Sequence, residues 1–258
     1  MDTIHYEIKD GVARIVLNRP DVYNSFNKEM AKAVQTCLSE ASQRKDVRCI
    51  EITGEGKAFC AGQDLNEAID PKGPSIDEIV REHYNPIIIK IREIGKPVVA
   101  AVNGVAAGAG ANIALACDIV IATQSATFIQ AFSRIGLIPD SGGTYFLPRL
   151  VGWQKASALA MLGDKVSADE AESMGMIYKS VPDDQFAEEV ARICAKLAIM
   201  PTRGLALTKQ AFNQSLVNKL SVQLLVEENL QTAASQTHDY QEGVNAFLEK
   251  RKPDFKGE

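Results

Sequence analysis

Val105-Ala106-Ala107-Gly108-Ala109-Gly110-Ala111-Asn112 is the stretch of sequence that decides the fold. It follows an apolar run at 97–102 that is typical of a buried strand, and a helix-like run begins directly after it. Residues this small at a switch from strand to helix let another group approach the main chain closely. They also leave the first N–H groups of the helix without partners, which favours binding of a negatively charged oxygen.

The same stretch has a second interpretation, because small residues also allow a helix to pack tightly against a sheet. Nucleotide-binding motifs are excluded. Gly108-x-Gly110 lacks the third glycine of the dinucleotide fingerprint, and the sequence has no phosphate-binding loop that ends in Gly-Lys-Ser/Thr.

Composition indicates an ordinary globular protein. The 258 residues are 46% hydrophobic and carry a net charge of −5, which disfavours a general nucleic-acid binder. The first residues show no signal peptide and no apolar run is long enough to span a membrane, so we expect no membrane partner. Three scattered histidines predict no metal site. The odd number of cysteines without a Cys-x-x-Cys motif indicates reduced, mostly buried thiols and a cytoplasmic location. The five are Cys37, Cys49, Cys60, Cys117 and Cys194.

Strand-like and helix-like segments alternate along the first two thirds of the chain. Strands are predicted at 4–9, 12–17, 48–52, 97–102, 118–122 and 178–181. Helices are predicted at 27–42, 76–93, 153–162 and 168–174, and residues 66–76 are expected to form a flexible excursion. Strands separated by helices favour parallel pairing. The pattern predicts an α/β body followed, from about residue 184, by a helical tail.

Six motifs follow one another in a characteristic order. They are Asn18-Arg19-Pro20, Asn24-Ser25-Phe26, the run 59–65 (FCAGQDL), the run 101–106 (AVNGVA), Cys117-Asp118 and the run 136–144 (GLIPDSGGT). With these motifs the chain resembles the enoyl-CoA hydratase/isomerase (crotonase) superfamily over essentially its full length. The run 242–251 near the C-terminus is also similar to that family.

The resemblance implies an α/β fold, a crotonase-like spiral of ββα turns, with acyl-CoA thioesters as substrates. It divides the chain into a spiral core at 1–197 that binds acyl-CoA and a C-terminal helical region at 198–258 that trimerises; such trimers often pair into hexamers. The thioester oxygen would lie between the main-chain N–H groups of Gln63 and Ala109. No separate cofactor is implied, since CoA is part of the substrate.

Other residues match the segments that bind CoA in relatives, mostly through main-chain atoms. These are Asn24, Ala61, Asp64 and Leu65. Phe247 and Lys250 match an aromatic residue and a lysine that close the CoA site of a neighbouring subunit. Lys250 is equally compatible with a solvated charge of the tail.

Hydratases of the family use two glutamates to position water and move its protons. The matching positions are Asn112 and Phe132 in this chain, so neither carboxylate is present. The resemblance therefore disfavours efficient water addition.

Asp140 is a single acid in a turn-prone segment, which would suit an N-cap. Its position also matches the catalytic aspartate of certain isomerases and of a CoA-thioester dehalogenase in the family. Apolar neighbours such as Ile138 and Phe132 are expected to raise its pKa towards that of a working base. One carboxylate suits proton shuttling: it removes a proton from one carbon and returns it to another, while the main-chain donors hold the enolate oxygen.

Within the family, the runs 62–66, 84–86, 104–111, 131–133 and 136–140 are most similar to isomerases of aerobic phenylacetate breakdown. Those enzymes convert the ring epoxide of 1,2-epoxyphenylacetyl-CoA to a seven-membered oxepin-CoA, and similar enzymes shift the double bond of 3-enoyl-CoAs to the 2-position. Tyr84 is a candidate for substrate contact or for simple packing. Asn112 could hydrogen-bond the substrate or Asp140, or cap the local main chain.

Three alternatives remain. A dehalogenase would use a tryptophan where Phe132 stands, whereas the only tryptophan of the chain is Trp153. An enoyl-CoA hydratase is the second alternative. The third is a non-catalytic binding protein, since some relatives bind RNA, although the acidic net charge and the oxyanion segments favour an enzyme.

Overall fold

The computed structural model describes residues 2–258, which fold into strands that alternate with helices and then into helices alone. The strands are β1 (Ile4–Lys9), β2 (Val12–Leu17), β3 (Cys49–Gly54), β4 (Ala58–Cys60), β5 (Val98–Val102), β6 (Val105–Ala107), β7 (Ile119–Thr123), β8 (Thr127–Ile129), β9 (Lys165–Ser167) and β10 (Lys179–Val181). The α-helices are α1 (Lys28–Gln43), α2 (Leu65–Ile69), α3 (Ile76–Glu78), α4 (Asn85–Glu93), α5 (Ala109–Ala116), α6 (Gly143–Val151), α7 (Trp153–Leu162), α8 (Ala168–Ser173), α9 (Phe186–Ala198), α10 (Thr202–Ser215), α11 (Leu220–Ser235) and α12 (His238–Leu248). Short 3₁₀ helices span Pro20–Val22 and Ala131–Ile135, and a π-helix spans Ile79–Tyr84.

The strands form two sheets, and from β3 to β8 successive strands of the chain alternate between them. The larger sheet has the order β1-β2-β3-β5-β7-β10, and the smaller has the order β4-β6-β8-β9. The pairs β3–β4, β5–β6 and β7–β8 each place one strand in either sheet, so the chain winds as a spiral. All pairings are parallel except β1–β2 and β8–β9. The predicted α/β spiral and the parallel pairing are confirmed.

The central strands β3 and β5 are rich in β-branched and small side chains, which favour a buried position in a sheet. Every residue of β3 and of β5 is buried, as expected for parallel strands covered on both faces. Helix α1 covers the sheet with one apolar face, and the Asn27 side chain caps it by accepting a hydrogen bond from the Met30 N–H at 2.9 Å. The core therefore supports the smaller sheet, whose strand ends carry the site described below.

Two segments differ from the sequence-based expectation. Residues expected to be a flexible excursion include α2, which forms because the Asp64 carboxylate accepts a hydrogen bond from the Asn66 N–H and caps it. The single helix predicted at 76–93 is interrupted by the π-helix. Pro86 has no N–H for the Glu82 carbonyl oxygen, which instead accepts from Lys32 Nζ and Gln35 Nε2 of α1 at 3.0 and 2.7 Å.

The five cysteines are free and buried, as predicted. Burial raises the pKa of Cys60 and that of Cys117 to about 12, so both thiols stay protonated at neutral pH. Within residues 2–258, no helix combines the length and the apolar character needed to cross a membrane.

Candidate active site

A cavity of about 280 Å³ lies beside the start of helix α5. Its lining is mostly apolar. Segment 61–84, the start of α5 and segment 131–140 supply Ala61, Gly62, Gln63, Leu65, Ala68, Ile76, Ile79, Val80, Tyr84, Gly108, Ala109, Ala131, Phe132, Arg134, Ile135, Leu137 and Asp140. A mostly apolar cavity with a few polar groups is typical of small-molecule binding.

The register of the smaller sheet brings the amides of Gln63 and Ala109 together. Cys60 of β4 pairs with Ala106 of β6, and Gln63 and Ala109 each follow three residues later. Adjacent strands are about 4.8 Å apart, so two donors at corresponding positions can flank one oxygen atom. Among residues 2–258, neither main-chain N–H has an acceptor.

Glycines allow this close approach. Gly62 has φ +96° and Gly108 has φ +52°, conformations that residues with a Cβ rarely adopt. A Cβ on Gly62 would lie 3.0 Å from Ala107 O and 3.6 Å from Ala109 N. A Cβ on Gly110 would overlap the main chain of β4, so the glycine-rich stretch also packs a helix tightly on the sheet, as its second interpretation predicted.

Asp140 faces the same cavity and is half-buried. Burial raises the pKa of its carboxyl group, while the hydrogen bond from the Ser141 hydroxyl at 2.9 Å acts in the opposite direction. The predicted direction is confirmed, but one proposed cause is wrong: Ile138 is 78% exposed and does not line the cavity, whereas Phe132 and Leu137 do. Asp140 is also not an N-cap, because α6 begins at Gly143 after the cap residue Gly142.

Asn112 is fully buried and lies outside the cavity lining. Its Nδ2 donates to the main-chain oxygen of Asp140 at 2.9 Å, and its Oδ1 accepts from Gln130 Nε2 at 2.8 Å. Of the roles left open for Asn112, the structure contains the hydrogen bond to the Asp140 segment, and it places the side chain away from the cavity lining where a substrate contact was expected. Because both polar atoms are engaged inside the protein, the side chain positions the Asp140 segment.

Tyr84 is almost fully buried at the end of the π-helix and lines the cavity. Its ring packs edge-on against Phe26 at 5.7 Å, and its hydroxyl donates to Gln63 Oε1 at 2.7 Å. Burial, with further contributions from Cys60, Asp140 and Glu67, raises its pKa well above the ordinary value. The hydroxyl therefore stays protonated and remains a donor.

The residues predicted to contact CoA fall into two groups. Ala61 and Leu65 line the cavity. The side chains of Asn24 and Asp64 instead hold the local structure: Asn24 Nδ2 donates to Glu55 O and Ala58 O, and Asp64 forms an ion pair with Arg19 at 2.8 Å. Contacts of their main chain with CoA stay a prediction.

Phe247 and Lys250 are separate from the cavity lining of this chain. Phe247 is 83% exposed on α12, and Lys250 is exposed just beyond that helix with φ +54°. A role of these two residues at a neighbouring subunit's site stays a prediction.

The sequence motifs do not identify two polar residues at the site, Arg134 and Glu67. Arg134 lines the cavity and donates through Nη2 to Gly163 O at 2.7 Å. Glu67 accepts from Gln63 Nε2 at 2.9 Å. Glu67 lies in the segment expected to be flexible, so only recognition of the Asp64 cap could have placed it on a helix.

The spiral fold and the free amides beside a carboxylate define a crotonase-type enzyme fold. The family model for enoyl-CoA hydratase/isomerase matches residues 7–258, and the chain belongs to that family.

Similar proteins cover almost the whole chain. The 1,2-epoxyphenylacetyl-CoA isomerase of Escherichia coli strain K12 is 47% identical over 100% of this chain and 99% of its own length. A Rhodobacter capsulatus protein named "Probable enoyl-CoA hydratase" is 48% identical over 99% of this chain and 98% of its own length. The crystal structure of an enoyl-CoA hydratase from Bacillus anthracis superposes with a TM-score of 0.92 at 32% identity and covers 99% of this chain and 100% of that one.

Proposed function

We propose that this protein is an acyl-CoA isomerase that moves a proton within a CoA thioester. Asp140 transfers the proton, and the main-chain N–H groups of Gln63 and Ala109 bind the thioester oxygen. The observation that carries this proposal is the make-up of the cavity wall. In the described part of the chain, Asp140 supplies the only carboxylate among the lining residues, which also include Gln63 and Ala109 with their free amides.

The reaction follows from these groups. The Asp140 carboxylate takes a proton from the carbon next to the thioester carbonyl, and the electron pair of the broken C–H bond moves to give an enolate. Two fixed N–H donors stabilise the negative oxygen without reorganisation, and one such donor is worth about 3–4 kcal/mol of barrier. The protonated acid then returns the same proton to a different carbon, so the product is an isomer and nothing else is consumed.

Two substrate classes fit this scheme. One is the ring epoxide of phenylacetyl-CoA, which would rearrange to the seven-membered oxepin-CoA; the name of the Escherichia coli relative supports this choice. The other is a 3-enoyl-CoA, whose double bond would shift to the 2-position. The apolar lining, with the aromatic rings of Tyr84 and Phe132, suits the acyl part of either class. A place in phenylacetate breakdown follows from the first choice.

Water addition to a 2-enoyl-CoA is the second candidate, and the name of the Rhodobacter capsulatus relative favours it. The site offers less support. Asn112 and Phe132 stand where hydratases carry glutamates, and the Asn112 side chain is engaged inside the protein. One carboxylate would have to position the water and move both protons.

We further propose that the protein is cytoplasmic, needs no separate cofactor, and assembles as a homotrimer or a dimer of trimers through residues 198–258. Exposed apolar side chains on α11 support the assembly, since patches of this kind commonly mark protein contacts. They include Leu220, Leu224 and Leu225, which are 74%, 54% and 60% exposed. In such an assembly Phe247 and Lys250 would close the CoA site of a neighbour, while residues 1–197 form the acyl-CoA-binding core.

A substrate screen tests the function. Ring-epoxide phenylacetyl-CoA, 3-enoyl-CoAs and 2-enoyl-CoAs are each incubated with the wild type and with Asp140→Asn, and products are separated by chromatography. We expect isomerisation of one or both of the first two classes, with loss of at least about 100-fold in the variant. Equal activity in Asp140→Asn would show that another group moves the proton. Rapid hydration of 2-enoyl-CoAs without isomerisation would establish the hydratase instead.

A further inference from the structure

Three hydrogen bonds join the Tyr84 hydroxyl to the first turn of α1 through the Gln63 side chain. Tyr84 donates to Gln63 Oε1 at 2.7 Å, and Gln63 Nε2 donates to Glu67 Oε2 at 2.9 Å. The other carboxylate oxygen of Glu67 accepts from the Lys28 main-chain N–H at 2.9 Å. These three hydrogen bonds thus connect the π-helix, Gln63, α2 and α1.

The direction of each bond is fixed. A carboxylate only accepts, so Gln63 must turn its NH₂ group towards Glu67 and its oxygen towards Tyr84. The Tyr84 hydroxyl stays protonated because its pKa is raised by burial. Its one proton is therefore committed to Gln63.

The main chain of Gln63 is held on one side only. Phe26 N donates to Gly62 O at 2.7 Å, and Asp64 N donates to Phe26 O at 2.8 Å. In a trans peptide the C=O and N–H groups point in opposite directions. The bond to Gly62 O therefore directs the Gln63 N–H away from Phe26 and towards the cavity, while the side-chain bonds hold the other part of the residue.

We propose that Tyr84 and Glu67 are positioning residues that hold Gln63 so that its N–H is preorganised for the thioester oxygen. The Tyr84 hydroxyl acts through the Gln63 side chain, whereas the Tyr84 ring lines the cavity. The assignment rests on the proposed function, because it concerns a donor of that same site. Its physical basis is that a donor aimed in advance contributes more to the barrier than one that must be reoriented.

The stretching frequency of a bound thioester carbonyl tests the positioning role of Tyr84 without any turnover of substrate. Hexanoyl-CoA labelled with ¹³C at the thioester carbonyl has no double bond to move, so it reports on the donors even if the proposed isomerisation is wrong. Infrared difference spectra are recorded for the wild type, Tyr84→Phe and Gln63→Met. We expect binding to lower the carbonyl frequency in the wild type, and both variants to lose a substantial part of that shift.

Matched variants separate this role from general damage. Tyr84→Phe keeps the ring that packs on Phe26, and Gln63→Met removes the acceptor while leaving Tyr84 intact. Tyr6→Phe serves as control, because the buried Tyr6 hydroxyl has no partner among residues 2–258. We expect the control to bind hexanoyl-CoA with the wild-type frequency shift.

Turnover of an accepted substrate gives a second test. Tyr84→Phe and Gln63→Met should each lower kcat by about 10- to 100-fold with much smaller changes in KM. The double variant should be no slower than the slower single variant, since both changes break one chain of bonds. Multiplying effects in the double variant, or an unchanged carbonyl shift in Tyr84→Phe, would overturn the proposal. Neither result would bear on the role of Asp140.

Discussion

The side-chain nitrogen of Asn112 donates a hydrogen bond to the main-chain carbonyl oxygen of Asp140 across 2.9 Å. Asn112 belongs to helix α5, whose first residue, Ala109, supplies one of the two free amides. The bond therefore ties helix α5 to the segment that carries the Asp140 carboxylate. Asn112, which stands where the family resemblance implies a glutamate in hydratases, thus links the two elements of the proposed site.

The first prediction concerns this link. Asn112→Ala removes two buried hydrogen bonds and leaves Gln130 Nε2 without its acceptor. We expect a loss of about 2–3 kcal/mol in the free energy of unfolding, because unpaired buried donors are costly. Urea denaturation followed by circular dichroism measures it. A variant as stable and as active as the wild type would show that the bond has no positioning role.

Gly143 provides the second prediction, because it packs against Asn112. A Cβ at Gly143 would overlap the Asn112 side-chain amide. We expect Gly143→Ala to lower the unfolding midpoint and to reduce activity, since the side chain that holds Asp140 must move. Gly204→Ala is the control: its Cβ would be 3.8 Å from Pro201, and alanine is the better helix former in the first turn of α10, where Gly204 lies. Equal thermal midpoints for the two variants would contradict the packing argument.

The third prediction concerns Ser141, which has φ +50° and donates to the Asp140 carboxylate. Removal of the hydroxyl in Ser141→Ala or Ser141→Gly should raise the pKa of Asp140 further. The acidic limb of the kcat/KM profile should then move to higher pH, because the base must be ionised. Glycine accepts the positive φ, so Ser141→Gly should be about 1 kcal/mol more stable than Ser141→Ala. An unmoved acidic limb in both variants would exclude this influence.

The fourth prediction is that the free energy of unfolding depends on pH through the titration of Asp140. Its pKa is raised from 3.8 in the folded chain, so between that value and the folded pKa the folded state holds more protons than the unfolded state. Stability therefore falls as pH rises through this window, and the buried carboxylate is destabilising above it. Asp140→Asn should unfold at higher urea than the wild type at pH 7. The gain should disappear below pH 3.8. A constant difference at all pH values would contradict it.

Assembly is the subject of the fifth prediction. Leu225 is 60% exposed on α11. If this face joins subunits, Leu225→Glu should reduce the mass measured by sedimentation, because a charge in an apolar contact is costly. Asn66→Ala, an exposed change near the cavity, serves as control. A monomeric wild type at micromolar concentration would exclude the proposed trimer.

Much of the fold could be predicted because its signals are local. The buried runs of β3 and β5 are short and apolar, and helix α7 has the predicted bounds of Trp153 and Leu162. The π-helix could not be predicted, since it depends on α1 side chains binding the carbonyl that Pro86 leaves free. The Asp64 cap is followed by a segment rich in turn-forming residues, which favours a loop over a helix in the sequence pattern.

The sequence predicts which segments form the site, but it does not predict which way the individual side chains point. Gln63, Ala109 and Asp140 all line one cavity, as the motifs implied. Leu137 faces that cavity whereas Ile138 is exposed, and an irregular turn has no period from which this could be derived. The Tyr84–Gln63 bond joins residues far apart in sequence through the end of the unpredicted π-helix.

The pairing of Cys60 with Ala106 has an evolutionary consequence. The spacing of the Gln63 and Ala109 N–H groups is set by the two neighbouring strands that precede them. The other walls of the cavity are formed by α2, the π-helix and the 3₁₀ helix at 131–135. Mutation can therefore reshape the walls for new acyl groups while the donors keep their separation. New acyl groups can then be accommodated in the course of evolution while the pair of main-chain donors is retained.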